Sequence, residues 1–427
     1  MTSKNNTIKR IFISDIHMGD KRSTESGTPP PPYAYRWFRN IKKKNENRPQ
    51  MLTDFLENHI LKDETINEVI ILGDLFDEWV VPPNMDPSEP PYPNQIEAVA
   101  DAPQNRPVIK HLQTLATKGK LTYVTGNHDM LGTTKENKAL IENILKGVKY
   151  IGDKGLGAYK TEDGIFAEHG HKYCLFNAPW ANTGGSSGFA ASILPLGFFL
   201  ARLDAGYVAQ KGEGFNFLEF LWDAIKRKHK SNFTEEKHET IAEEIDGIII
   251  DAFKIFHSDK VFSGQDGVVL DGLGGIPGTV KWKEIEDRSA RIFSQWKEYH
   301  PDNESAFHAA LNDTGDLEIA AKFLFEQQQG KIVIFGHTHA WKFQKHCLEK
   351  GHHIYANTGA WVNKKPCTFV NTEFDTESRE HTIGVWEYKD NKIKLLEDGS
   401  VNIETGSTPE SSCLPCRIFK KITGLFR

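Results

Sequence analysis

The chain has 427 residues, 38% hydrophobic and 26% charged, which is the mix of a folded globular protein and excludes a disordered one. That length exceeds one compact core and predicts a main domain with a sizeable insertion. Lys and Arg number 52 against 58 Asp and Glu, a net charge of −6, which argues against bulk attraction to nucleic acid but is compatible with a local basic patch.

The polar N-terminal residues lead straight into a β-branched run, with no apolar stretch of the kind a secretory signal carries. Strands are predicted at 10–13, 68–72, 121–124 and 165–167, alternating with helices at 51–61, 107–116 and 135–145, an α/β pattern. Pro-rich stretches at 28–33 and 81–93 read as long loops. Residues 175–201 carry no charge and end in an apolar run at 193–200. They read either as a lid over a lipid-like substrate or as ordinary packing on the core. From 215 to 328 the pattern is mostly helical. Phe217, Leu218, Leu221, Trp222 and Ile225 share a face, and helical spacing recurs at 240–256 and 284–296 around a Gly-rich loop at 264–278. Strands return at 331–335, 353–356, 384–388 and 392–396. The predicted organisation is an α/β core in two parts, 1–174 and 331–398, split by a mainly helical cap insertion at 175–330 and followed by a tail at 399–427.

No stretch reaches the roughly 20 apolar residues of a membrane span. Five cysteines, Cys174, Cys347, Cys367, Cys413 and Cys416, are few, odd in number and scattered. They argue against a disulfide framework and for a reducing, cytoplasmic setting.

The chemistry lies at the ends of the strands. Ser14-Asp15-Ile16-His17, Gly73-Asp74-Leu75-Phe76-Asp77, Gly126-Asn127-His128-Asp129, Glu168-His169-Gly170-His171 and Gly336-His337-Thr338-His339 each follow a predicted strand. Loops at the carboxyl ends of strands in an α/β protein converge on one crevice. Residues i and i+2 of an extended backbone point the same way, so Asp15 with His17 and His337 with His339 can present paired ligands. Imidazole, amide and carboxylate donors without thiolate suit Mn, Fe, Zn or Co. Seven such donors exceed one tetrahedral ion and suit two ions sharing a carboxylate, an arrangement used for phosphoester hydrolysis.

The ordered series Asp-x-His, Gly-Asp-x-x-Asp, Gly-Asn-His-Asp, His-Gly and Gly-His-Thr-His, over residues 9–171 and 331–362, resembles the calcineurin-like metallophosphoesterases. The resemblance implies a β-sandwich flanked by helices, with the helical cap inserted between the fourth and fifth blocks. It implies two divalent metal ions, one on Asp15, His17, Asp74 and His339, the other on Asp74, Asn127, His169 and His337, with Asp74 bridging. A hydroxide between the metals would attack phosphorus in line. His128 would face the leaving oxygen as a catalytic acid or charge stabiliser, and Asp77 would orient its imidazole.

Gly73 to Trp79 and the insert before Gly-His-Thr-His look similar to the UDP-2,3-diacylglucosamine pyrophosphatase branch. This chain is longer, however, and has His171 where that branch commonly has Asp. The expected activity is phosphodiester or pyrophosphate hydrolysis of a small lipid-linked or nucleotide substrate, with manganese a natural metal. A nuclease or a phosphomonoesterase of the same family is the alternative, and a phosphoesterase-fold scaffold is the non-enzymatic one.

Other features carry paired readings. His171 reads as a substrate contact, or as a residue behind the ligands or facing solvent. The basic run Arg36, Arg39, Lys42, Lys43 and Lys44 reads first as a solvated helix face and second as a phosphate or anionic-surface contact. In the tail, Ile418, Phe419, Ile422, Leu425 and Phe426 oppose Arg417, Lys420 and Lys421. That is an amphipathic pattern for peripheral membrane contact through 413–427 or for docking on the protein itself. Cys413 and Cys416 form a weak C-x-x-C signal, and Trp79, Trp180, Trp341 and Trp361, which lie near the motifs, read first as core packing and second as pocket lining.

Overall fold

The computed structural model describes residues 6–20, 40–41, 46–79, 94–174, 176–180, 193–202, 267–269, 278–281, 284–285, 288, 317–348, 351–362 and 365–403. The basic side chains between 36 and 44, most of the interval 203–316 and the tail 413–427 lie outside these residues.

In chain order the elements are β1 (Thr7–Ile13), β2 (Asn40–Ile41), β3 (Glu46–Asn47), α1 (Arg48–Phe55), β4 (Ile66–Leu72), α2 (Gln95–Asp101), α3 (Arg106–Thr117), β5 (Leu121–Val124), α4 (Lys135–Ile144), β6 (Lys149–Ile151), β7 (Ala158–Lys160) and β8 (Ile165–Glu168). After them come β9 (Gly267–Val269), β10 (Thr279–Lys281), α5 (Glu318–Glu326), β11 (Ile332–Phe335), β12 (Trp341–Leu348), β13 (Gly351–Thr358), β14 (Cys367–Asp375), β15 (Glu380–Lys389) and β16 (Lys392–Asn402). One sheet has seven strands in the order β16-β15-β14-β1-β4-β5-β6, and a second has five in the order β12-β13-β11-β8-β7.

The period of two along the strands builds the layers. On β1, Phe12 faces the second sheet while Ile11 and Ile13 face helices; on β4, Ile70 and Leu72 face inward and Val69 and Ile71 outward. The second sheet answers with Ala167, Ile332, Ile334, Ile354 and Ala356, so the two sheets enclose one apolar core. Each Ile, Leu or Phe among them contributes about 1.5–3 kcal/mol on burial. The outer face of the first sheet is covered by α1 to α4 through Leu52, Phe55, Val99, Val108, Leu112, Leu115 and Ile141. The outer face of the second is covered by α5, whose Ala321, Leu324 and Phe325 meet Val333, Phe335 and Tyr355. The result is a β-sandwich between helical layers.

β1, β4, β5 and β6 pair in parallel, as do β8, β11 and β13. Their carboxyl ends therefore meet at one rim, which is where every ligand motif begins.

Several elements differ from the sequence reading. α1 begins at Arg48 because Asn47 caps it, its side chain accepting from the Gln50 N–H, and Pro49 sits in the first turn. The sequence does not predict strands β2, β3, β6, β7, β9, β10, β12 and β14, and β9 and β10 form a two-stranded pair within the interval read as mostly helical with a Gly-rich loop. β12 is an edge strand whose sequence, Trp-Lys-Phe-Gln-Lys-His-Cys-Leu, intersperses charge as exposed edges do. α5 falls within the interval expected as a cap, yet it packs on the core. β16 runs on to Asn402. The described part of the uncharged stretch is buried, with Leu194, Leu196, Phe198, Phe199 and Leu200 packed away from solvent. Cys174 and Cys367 are buried thiols, whereas Cys347 is disulfide-bonded to a partner outside the described residues. The expectation of a reducing setting thus meets one disulfide.

Candidate metal centre

The loops after β1 and β4 are zipped together: the Ile16 and His17 N–H groups both donate to the Asp74 carbonyl, at 3.0 and 2.9 Å. The loop after β5 is tied to them by Asp129, whose carboxylate accepts from the Gly126 and Leu75 N–H groups at 2.6 and 2.8 Å and from the Tyr123 hydroxyl. The His128 N–H in turn donates to Asp74 Oδ1 at 2.9 Å. From the second sheet, the His337 N–H donates to Asp15 Oδ2 at 2.9 Å. Gly126 is required here, since a Cβ at this position would strike the Asp74 carboxylate and backbone.

Asp15, His17, Asp74, His337 and His339 all have left-handed backbone, with φ of 53°, 52°, 54°, 71° and 55°. This corrects the expectation that the Asp15/His17 and His337/His339 pairs lie on extended backbone. The pairs do come together, but through tight turns that only a surrounding hydrogen-bond frame can hold.

The nine predicted site residues gather in one cluster. Asp74 Oδ2 lies 3.5 Å from His17 Nε2 and 3.2 Å from His169 Nε2. Asp15 Oδ1 lies 3.2, 3.8 and 4.0 Å from Nε2 of His339, His17 and His169. Asn127 Oδ1 is 3.0 Å from both His169 Nε2 and His337 Nδ1. Asp77 reaches two imidazoles at once, His17 Nδ1 at 2.9 Å and His128 Nδ1 at 3.0 Å. Trp79 stacks on His128 at a centroid distance of 3.9 Å and an angle of 18°, which limits the swing of that ring. His339 keeps 20% of its side chain exposed, marking the side open to solvent.

The electrostatics are those of acids embedded among imidazoles. Burial disfavours the charged form of Asp15 and of Asp74, but the positive charge of His169 and the other imidazoles beside them hold both well below the usual carboxylate range. Asp77 is likewise lowered to about 2, burial being outweighed by His128 and His17. Burial opposes protonation of His17 and His169, yet Asp15, Asp74 and Asp77 raise them to about 10 and about 9. Burial lowers His337 and His339. Glu78 is raised well above its ordinary value by burial and by Asp129 and Asp77.

These residues fit a divalent cation. Asp15 Oδ1 is buried with no hydrogen-bond partner among the described residues, and it faces three imidazole nitrogens. A cation at that position would satisfy it and replace the protons on His17 and His169. Three donor triads, Asp15/His17/His339, His17/Asp74/His128 and Asp15/Asp74/His169, have ligand atoms within 4.8 Å of one another. The second includes His128, so this residue stands nearer a metal position than the sequence reading expected.

His171 is neither at solvent nor among the donors. It is buried behind His169, with Nε2 2.8 Å from the Gly155 carbonyl. The sequence reading missed Asp129, Asn177 and Cys174. Asp129 was within a motif, but its role as a clamp between loops depends on tertiary contacts. Asn177, which accepts from Asn127 Nδ2 at 3.3 Å, and Cys174, beside His337, lie outside any motif and gave no signal.

Residues 8–191 match the family model described as calcineurin-like phosphoesterase. No curated protein matches. Among solved structures, the chain is similar to a double mutant of Vps29 from Entamoeba histolytica (25% identity, TM-score 0.16) and to a single mutant of the same protein (26%, TM-score 0.16). Each match covers 21% of this chain and 48% of the other, about half the length of Vps29. It is also similar to GAP50 of Plasmodium, titled the anchor in the inner membrane complex, at 10% identity and a TM-score of 0.33 over 93% of this chain and 90% of that one. These scores are too low to define the fold.

Proposed function

We propose that this chain, whose residues 8–191 match the calcineurin-like phosphoesterases, is a metal-dependent phosphoesterase that hydrolyses a phosphodiester or pyrophosphate bond in a small substrate. The observation that carries the reading is the placement of Asp74 Oδ2 between His17 and His169, with His128 alongside and held by Asp77. Asp15, His17, Asp74 and His339 would hold one divalent ion, and Asp74, Asn127, His169 and His337 a second. When bound, such ions supply a lowered water pKa and charge neutralisation at the phosphoryl oxygens.

The chain's own residues supply the rest. His128, fixed between Asp77 and Trp79, would hold a proton at the leaving oxygen through Nε2. Asp77 fixes the Nδ1–H tautomer of both His17 and His128, so a single carboxylate orients a metal ligand and the leaving-group residue. The loop frame around Asp129 keeps Asn127 and His128 in register with Asp74.

A lipid-linked or nucleotide substrate, a cytoplasmic site of action and peripheral membrane contact through 413–427 belong to this proposal as readings of the sequence, as does the likeness to the UDP-2,3-diacylglucosamine pyrophosphatase branch. The test is a paired rate on metal-stripped protein with added Mn²⁺, using bis-p-nitrophenyl phosphate and p-nitrophenyl phosphate. A diester rate well above the monoester rate is expected. A monoester preference overturns the bond assignment, and Asn127→Ala with unchanged turnover overturns the site.

A further inference from the structure

The imidazoles of the centre are not all presented the same way. His17 and His169 turn Nε2 toward the carboxylates and are held from behind through Nδ1, by Asp77 at 2.9 Å and by the Leu72 carbonyl at 2.6 Å. His337 is inverted. Its Nδ1 faces Asn127 Oδ1 at 3.0 Å, and its Nε2 points away from the centre, toward Cys174 Sγ at 3.2 Å and Asn177 Nδ2 at 3.4 Å. A neutral imidazole carries one donor and one acceptor, and a ligating nitrogen must be the acceptor. If Nδ1 ligates, the proton sits on Nε2 and needs an acceptor behind it. Asn177 cannot be that acceptor. Its Oδ1 accepts from Asn127 Nδ2 at 3.3 Å, an orientation set by Asn127 turning its own Oδ1 toward His169 and His337, so the atom facing His337 is the Asn177 amide nitrogen, a donor. Among the described residues, the sulfur is the remaining partner on that side.

We infer that Cys174 is a positioning residue for His337, its sulfur accepting the Nε2–H and so keeping Nδ1 available to a metal at the Asn127/His169/His337 position. The inference rests on the metal assignment proposed above. Cys174 is buried in the cluster under the second sheet, beside Phe335 and Leu317, where a weak sulfur acceptor needs no water and carries little desolvation cost. It stands where a carboxylate or carbonyl usually backs a metal-binding histidine.

The test uses the full chain, stripped of metal and titrated with Mn²⁺ alone against a competing chelator. The wild type is expected to bind two ions. Cys174→Val keeps an apolar side chain of similar bulk but has no acceptor, and should weaken one of the two sites by about 10–100-fold while leaving the other unchanged. Cys174→Ser restores an acceptor and should return that site close to wild type. Cys174→Ala serves the same purpose as the valine variant should valine prevent folding. Loss at one site with rescue by serine supports the inference, because a packing defect would not be selective and serine would not repair it. Equal binding of both ions by the valine or alanine variant overturns it. A thiolate-to-cobalt charge-transfer band in Co²⁺-loaded wild type also overturns it, since Cys174 would then be a ligand. Wild type that binds no Mn²⁺ overturns the metal assignment and this inference with it, whereas the preceding two outcomes leave the assignment standing.

Discussion

The two ends of the sandwich treat buried charge in opposite ways. At the end away from the ligand loops, charges meet in dedicated pairs: Arg10 donates to Asp163 at 2.7 Å, His381 donates to the Asp163 carbonyl at 2.7 Å, and Glu68 accepts from Tyr159 at 2.6 Å and from Thr122. At the rim, three carboxylates face five imidazoles and the backbone is left-handed at five ligand positions. Both ends hang on the same strands, with Arg10 three residues before Ile13 and Glu68 four before Leu72. The lesson is that the polar closed end is part of the scaffold, while the rim carries features that a scaffold would avoid and a cation would resolve.

The comparison can be broken most sharply at Asp74. Asp74→Ala should abolish turnover and reduce bound Mn²⁺, measured by elemental analysis, while the purified protein keeps a cooperative melt. A variant that retained both metals would mean that the shared carboxylate is not shared. His128→Ala comes next: kcat should fall by about 10²–10⁴-fold with metal content retained, separating the leaving-group residue from the ligands. If metal is lost as well, the His17/Asp74/His128 triad is a binding group. At the other end, Arg10→Met removes one partner of a buried pair and should cost about 3–5 kcal/mol in denaturant unfolding with two metals still bound. A drop in metal content in that variant would erase the distinction between the two ends. The smallest effect belongs to Mn²⁺ itself. At tenfold excess over its Kd it should stabilise the wild type by about 1.4 kcal/mol per site and the Asp74→Ala protein by less, read as a shift in Tm.

Much of the rim was legible because strand-end motifs are local in sequence and parallel strands deliver their ends to one place. Asp15, Asp74, Asn127, His169 and His337 each follow a β-branched or apolar run, and that run set their position. The layers of the sandwich were legible for the central strands, whose apolar residues fill both faces, and not for β12, an edge with one polar face. α5 was placed with the insertion because its helical pattern continues the preceding one, and only contact with Val333 and Tyr355 assigns it to the core. What surrounds the ligands was hidden for a different reason. Asp129, Cys174 and Asn177 act through partners that the chain brings near only after it folds.

The left-handed backbone at Asp15, His17, Asp74, His337 and His339 has a consequence for how this protein could drift over time. Each such residue is held in a conformation that costs about 1–2 kcal/mol relative to right-handed backbone and that glycine adopts freely. A chain retained only for its fold would relieve this backbone cost by exchanging the histidines for glycine, whereas Asp15 and Asp74 also accept the His337 and His128 N–H groups, so their exchange would leave those donors unpaired. That five aspartates and histidines still occupy positions suited to glycine is a trade of stability against chemistry. Members of a lineage that had given up the chemistry should be recognisable by glycine at His17, His337 and His339 before any change in the core.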